Sequence, residues 1–193
     1  MLTIPQLTEK MIAFSAGNTA DIHHFLCVWA YAKTIGEAEG LDEKTQFLLE
    51  ATAILHDISC PLCREKYGNT DGKHQEAESP RLVQGFLADS GFDAALIDRI
   101  SYLIAHHHTV TGIDGMDYQI LVEADFLVNY FEDGLDKEHI KKSAEKIFKT
   151  ETGKKIVKEM FFPKTFQKSE TWAQDALQDL EDFIEEQGIY IRQ

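Results

Sequence analysis

The chain has 193 residues and a net charge of -14, from 19 basic and 33 acidic side chains. That length makes one domain, or one domain with a helical extension, and is ample for a real core. The acidic balance excludes non-specific binding to a nucleic-acid polymer, which needs a basic footprint; a small phosphorylated ligand held by a metal and a few local cations remains compatible with it.

Read in chain order, helix-period apolar spacing and only four prolines predict an all-α protein. Residues 5 to 16 read as a short leading helix ended near Gly17, and Asp21 is expected to cap a second helix that runs to Glu39 and stops at Gly40. On that helix His24, Val28, Tyr31 and Ile35 share a face, so His24 looks inward. His23 points about 100 degrees away, on a face that is also fairly apolar. Asp42 is expected to cap a third helix whose run from Phe47 to Leu55 is almost unbroken in its apolarity, and a helix apolar on all sides should be buried. It ends in His56-Asp57. Residues 59 to 73, with Pro61, Gly68 and Asn69-Thr70-Asp71-Gly72, read as a loop placed to shape a pocket.

Residues 75 to 89 read as a helix with Pro80 in its first turns, and Asp93 caps another that reaches about His106 with Ile97, Ile100, Leu103 and Ile104 on its core side. Asp114-Gly115 marks a turn. Residues 117 to 131 carry Asp125 among Leu121, Val122 and Val128, so this carboxylate should also point inward. The last third, about 136 to 193, reads as two or three amphipathic helices with a break at Phe161-Phe162-Pro163. Trp172, Leu177, Leu180, Phe183 and Ile184 form the stripe of the last one, which is expected either to cover the core or to make a homodimer contact.

An ionised Asp at the end of a buried helix is costly unless something neutralises it. The remaining ligand types suggest a metal: His23, His24, His74, the triplet His106-His107-His108 and Asp125. Imidazoles with carboxylates make a divalent transition-metal set, and manganese, iron, cobalt, nickel and zinc all accept it. Cys60-Pro61-Leu62-Cys63 has redox or zinc spacing. With only Cys27 elsewhere and no βαβ pattern around it, no metal or redox role is expected of it. Arg64, Lys66, Lys73 and Arg81 surround the expected pocket loop and are the cations available to phosphate oxygens, with solvated surface charge as the default for each. His139, among Lys137, Lys141 and Lys142, is expected to be exposed.

The order His, His-Asp, His-His and a lone Asp resembles the HD superfamily of metal-dependent phosphohydrolases over roughly residues 20 to 130. On that resemblance the core metal set is His24, His56, Asp57 and Asp125, with His24 four residues before an apolar Val28. Relatives with two metals carry more histidines; here His107 and His108 match the later pair, with His106 as a one-residue slip. Where such relatives open the helix after the doublet with another His, this chain has Gln75, with His74 beside it. Gln is a poor ligand for such ions, so one or two ions are both open.

The resemblance implies an HD-like helical bundle over residues 1 to 135 with a helical extension, 136 to 193, packed on it. It implies hydrolysis of a small phosphorylated substrate, a phosphomonoester of a nucleotide or another metabolite, with Asp57 the catalytic carboxylate and a bridge if two ions bind. Two other readings stay open at this point: a di-iron oxygenase on the same scaffold, and a metal-holding sensor or scaffold without catalysis. No basic start followed by an apolar stretch opens the chain, and no apolar run nears the roughly 20 residues of a membrane span. Together with three cysteines and no secretory signal, this gives the expectation of a cytoplasmic protein without membrane contact.

Overall fold

A computed structural model of the chain describes residues 1–163. Among the described residues there are nine helices and no strand: α1 (Ile4–Phe14), α2 (Thr19–Ala38), α3 (Glu43–Leu55), α4 (Cys60–Tyr67), α5 (Gly72–Leu87), α6 (Ala94–His106), α7 (Met116–Glu132), α8 (Lys137–Ile147) and α9 (Glu151–Phe161). No helix among them is long and apolar enough to cross a membrane.

Several helices begin where short polar side chains take up the orphan backbone N–H groups of a first turn. Asp42 accepts from Lys44 N at 3.0 Å and Thr45 N at 3.2 Å at the start of α3, and Asp93 accepts from Leu96 N at 2.8 Å at the start of α6. The cap of α2 differs from the expected Asp21. Asn18 accepts from Asp21 N at 3.3 Å, and Asp21 lies in the first turn, where a negative charge suits the helix dipole.

The expected loop 59–73 is also mostly helix. Residues Cys60–Tyr67 form α4, with Pro61 in its first turn and Gly68 ending it at a φ of 73°, a left-handed conformation that favours glycine. Its eight polar-rich residues carry too little apolar periodicity to announce a helix, and only the Pro-to-Gly punctuation does so.

α3 is the central element. Leu49, Ala51, Thr52, Ala53, Ile54 and Leu55 have no exposed surface. Around it, Leu7 and Met11 of α1, Phe25 of α2, Val83, Phe86 and Leu87 of α5, and Ile100 and Ile104 of α6 form one apolar cluster. α2 and α3 approach closely at Gly36, where a Cβ would collide with Gln46 Oε1 and stand 3.1 Å from Leu49 Cδ2. α7 lies against both α2 and α3, while α5 pairs with α6 and carries α4 on its flank. The C-terminal end of α3 is thereby enclosed by α2, α6 and α7.

α8 and α9 pack on α7, and α9 also touches α2, within a compact unit that spans Met1–Phe161. The link is a fully buried carboxylate. Glu123 of α7 accepts from Gln119 Nε2 at 2.7 Å, Lys149 N at 2.6 Å and Thr150 N at 3.0 Å, and also from the Thr150 hydroxyl. The stripe predicted from Trp172 to Ile184 lies outside the described residues.

Candidate metal centre

Four helices deliver the side chains. α2 presents His24, the C-terminus of α3 presents His56 and then Asp57, the C-terminus of α6 presents His107 and His108, and the middle of α7 presents Asp125. His56 is fully buried, and His107, Asp125 and His24 are buried as well. The Asp57 side chain is 24% exposed and lines the wall of a cavity of about 620 Å³ beside the cluster.

The ligand atoms converge. His24 Nε2 stands 3.1 Å from His56 Nε2 and 3.3 Å from Asp125 Oδ1, and His56 Nε2 is 3.6 Å from the same oxygen. Asp57 Oδ2 lies 3.6 Å from His24 Nε2 and 3.7 Å from His56 Nε2. The other Asp57 oxygen turns away, so that Oδ1 is 3.6 Å from His107 Nε2. His107, His108 and Asp125 also offer one atom each within 4.8 Å of one another.

The rings are held so that Nε2 faces inward. His56 Nδ1 donates to Ala53 O at 2.8 Å and His107 Nδ1 to Ile104 O at 2.7 Å. A carbonyl oxygen only accepts, so Nδ1 carries a proton in both rings and Nε2 is the atom left to face the cluster. His24 Nδ1 makes the corresponding bond to the Glu132 carboxylate at 2.9 Å. Backbone carbonyls and carboxylates behind the rings are the usual way to fix the tautomer of a metal-binding His.

Two Nε2 atoms 3.1 Å apart, faced by two carboxylate oxygens, form a concentration of lone pairs that calls for positive charge at its centre. Atoms each about 2.1 Å from one ion stand roughly 3.0 Å apart at right angles and 3.4 Å apart in a tetrahedron. The observed separations of 3.1 to 3.7 Å are of that size, so the residues fit a divalent ion. Protonation has the same pull. Burial by itself lowers the His24 imidazole, but its bond with Asp125 and the charge on Asp57 outweigh it and hold the ring at about 9. Burial likewise works against ionised Asp57 and Asp125, yet the surrounding imidazoles keep both below the usual carboxylate range. His108 goes the other way: burial and the neighbouring His107 push it down to about 4, which leaves it neutral and available as a donor of electrons at neutral pH.

Some candidates lie elsewhere. His74 is stacked on Tyr67 with ring centroids 3.9 Å apart and bonds Asn69 Oδ1 at 2.9 Å, turned away from the cluster. His106 tilts against Tyr102 and bonds its carbonyl at 2.7 Å, so His107 and His108, and not His106, reach the cluster. His23 lines the cavity but bonds Thr19 O at 2.7 Å, and His139 is exposed at the start of α8. Gln75 is buried and lines the cavity.

Cys60 also lines the cavity, where burial and the Asp57 carboxylate push its thiol upward; all three cysteines are free. Of the four candidate cations, Arg64 alone lines the cavity, where it pairs with Asp21, while Lys66 is taken by Glu78 at 2.5 Å. Glu132 was not foreseen from the sequence. It stands seven residues after Asp125 on α7, two turns on and on the same face, and that spacing is the signal that could have found it.

Fold and cluster together define an all-helical protein with a His/Asp centre suited to a divalent metal. The HD domain family model matches residues 21–137, more than half of the chain, and the chain belongs to that family. HD domains bind divalent metals and are typically metal-dependent hydrolases. A crystal structure of a predicted HD superfamily hydrolase from an uncultured Thermotogales bacterium is similar at a TM-score of 0.56 and 23% identity, over 95% of this chain and 90% of that one. At that identity the likeness is one of fold. No curated protein matches the chain.

Proposed function

We propose that this protein hydrolyses a phosphomonoester, of a nucleotide or another small phosphorylated metabolite, at a metal held by His24, His56, Asp57 and Asp125. The observation that carries the reading is the convergence of His24, His56 and Asp125, with Asp57 Oδ2 within 3.7 Å of both imidazole nitrogens, at the wall of a cavity that also contains one arginine, Arg64. When bound, a divalent ion supplies a water of lowered pKa and polarises a phosphoryl oxygen.

The chain does the rest. The Nδ1 bonds of His24 and His56 hold both rings in one orientation, so the ligand set is organised before any substrate arrives. Arg64 offers guanidinium N–H donors, the geometry suited to phosphate oxygens, and its present partner Asp21 keeps it directed at the cavity rim. Asn129 and Thr70 add neutral polar groups to the wall.

The test is phosphate release from a panel of nucleotides and phosphorylated metabolites, with manganese, cobalt, nickel and magnesium supplied in turn. Metal-dependent release is expected from the wild type, and Asp57→Ala should fall to background. Full turnover by that variant would refute the mechanism. A blank panel from metal-loaded protein overturns the phosphohydrolase reading; iron at two per chain with an absorbance change on adding oxygen would put an oxygenase in its place.

A further inference from the structure

Five buried side-chain atoms among the described residues have no hydrogen-bond partner, and three of them, Asp57 Oδ1, His107 Nε2 and Gln75 Oε1, belong to one neighbourhood. Two are oxygens that can only accept, and the third is an imidazole nitrogen. Asp57 Oδ1 is a carboxylate oxygen, and His107 Nδ1 donates to the Ile104 carbonyl, which leaves Nε2 as the ring atom that faces Asp57. The Gln75 amide is oriented by its own bond: Nε2 donates to Thr70 O at 3.0 Å, and since a carbonyl cannot donate, Oε1 is the free end.

These groups share a wall. Asp57, Gln75 and His108 line the same cavity, and His107 Nε2 is 3.6 Å from Asp57 Oδ1. The first turn of α5, which carries Gln75, lies directly on the histidine pair. At Gly72 a Cβ would stand 3.1 Å from the His108 ring, and Thr109 Oγ1 donates to Glu76 at 3.2 Å. Buried polar atoms without a hydrogen-bond partner are costly. A cation satisfies several at once, whereas a water donates only two hydrogen bonds.

We propose that Gln75 supplies its amide oxygen to a second cation position, formed with Asp57 Oδ1, His107 and His108, and that this is the weaker of two unequal positions. The proposal rests on the metal-centre reading above. The first position has two imidazoles and two carboxylates. The second shares the Asp57 carboxylate and takes a neutral amide oxygen where an imidazole would bind more tightly. Neutral oxygen donors shift preference from zinc towards manganese and magnesium. The two positions therefore fill in order, and the second responds to the supply of an oxygen-seeking ion.

The experiment is titration of the metal-free protein with Mn²⁺, read by calorimetry for stoichiometry and by electron paramagnetic resonance for coupling between ions. The expected result is two ions per chain with unequal affinities, the isolated-ion signal giving way to a coupled one as the second enters. Gln75→Leu should leave the tight ion unchanged and weaken the second by about tenfold or more, since it removes a ligand where loss of a mere supporting partner already costs about tenfold. Gln75→His should tighten the second ion while leaving the first alone, and a thermal melt of each metal-free variant reports its folding.

Retention of both affinities in Gln75→Leu overturns the proposal. So does a wild type that binds a single ion, which leaves the first position standing. A wild type that binds no ion at any concentration removes the metal-centre reading as well.

Discussion

At the residue scale the centre depends on what stands behind each ligand. Glu132 is 41% exposed on its side chain and contributes little to the core, yet it accepts the Nδ1 proton of His24 at 2.9 Å. Its role is to fix the ring and raise its electron density. Glu132→Ala should weaken metal binding on the order of 10- to 100-fold while leaving the thermal midpoint of the metal-free protein nearly unchanged. A competition titration against a metal indicator measures the first, and unchanged affinity would exclude this role. Asp57 shows a different economy, with Oδ2 turned to His24 and His56 and Oδ1 to His107. One carboxylate thus serves two neighbourhoods, and no neutral residue at that position can do the same.

At the scale of elements, α7 performs two tasks on two faces. Asp125 and Glu132 point into the centre, while Glu123 points to the opposite side and fastens the turn between α8 and α9. Gly153 is part of that fastening: a methyl group there would run into Glu123 Oε2 and stand 2.7 Å from Thr150 Oγ1. Gly153→Ala should destabilise by about 1 to 3 kcal/mol through overpacking, seen as a lower urea midpoint. The first metal position should keep its affinity, because its ligands lie on the other side of the helix; loss of metal affinity in parallel with stability would contradict that separation. Helical spacing made much of this legible from sequence, since offsets of three, four and seven residues share a face. α4 was not legible, because a short helix of polar residues has no apolar stripe to read.

At the scale of the whole molecule, a net charge of -14 is distributed over carboxylates that cap helices and pair with cations. Asp42 is held below its ordinary value by its bond with Thr45, Asp136 by the His139 backbone, Asp89 by Lys10, Asp114 by Arg99 and Glu39 by Thr152. Each is thus a stronger acid folded than unfolded, where Asp and Glu titrate near 3.9 and 4.3. Below about pH 4.5 the unfolded chain binds more protons, so stability from these groups is full above that range and is lost as pH falls through it. Denaturant midpoints should change little from these groups between pH 6 and 5 and drop steadily from pH 4.5 to 3. A midpoint that rises on acidification to pH 3 would show that relief of charge repulsion outweighs the caps and pairs.

The sequence by itself determined the all-helical class, the caps at Asp42 and Asp93, and the set of residue types that make a metal centre. These are local properties, carried by period and by neighbours a few positions apart. The tertiary structure distinguished adjacent residues: it brings His24 rather than His23 and His107 rather than His106 into the cluster, and Gln75 rather than His74 to the cavity wall. Adjacent side chains on a helix point about 100 degrees apart, and where both faces are partly apolar the pattern does not say which one meets a partner. That partner is supplied by another helix, far away in the chain, and only the packing of α2, α3, α5, α6 and α7 brings it within reach.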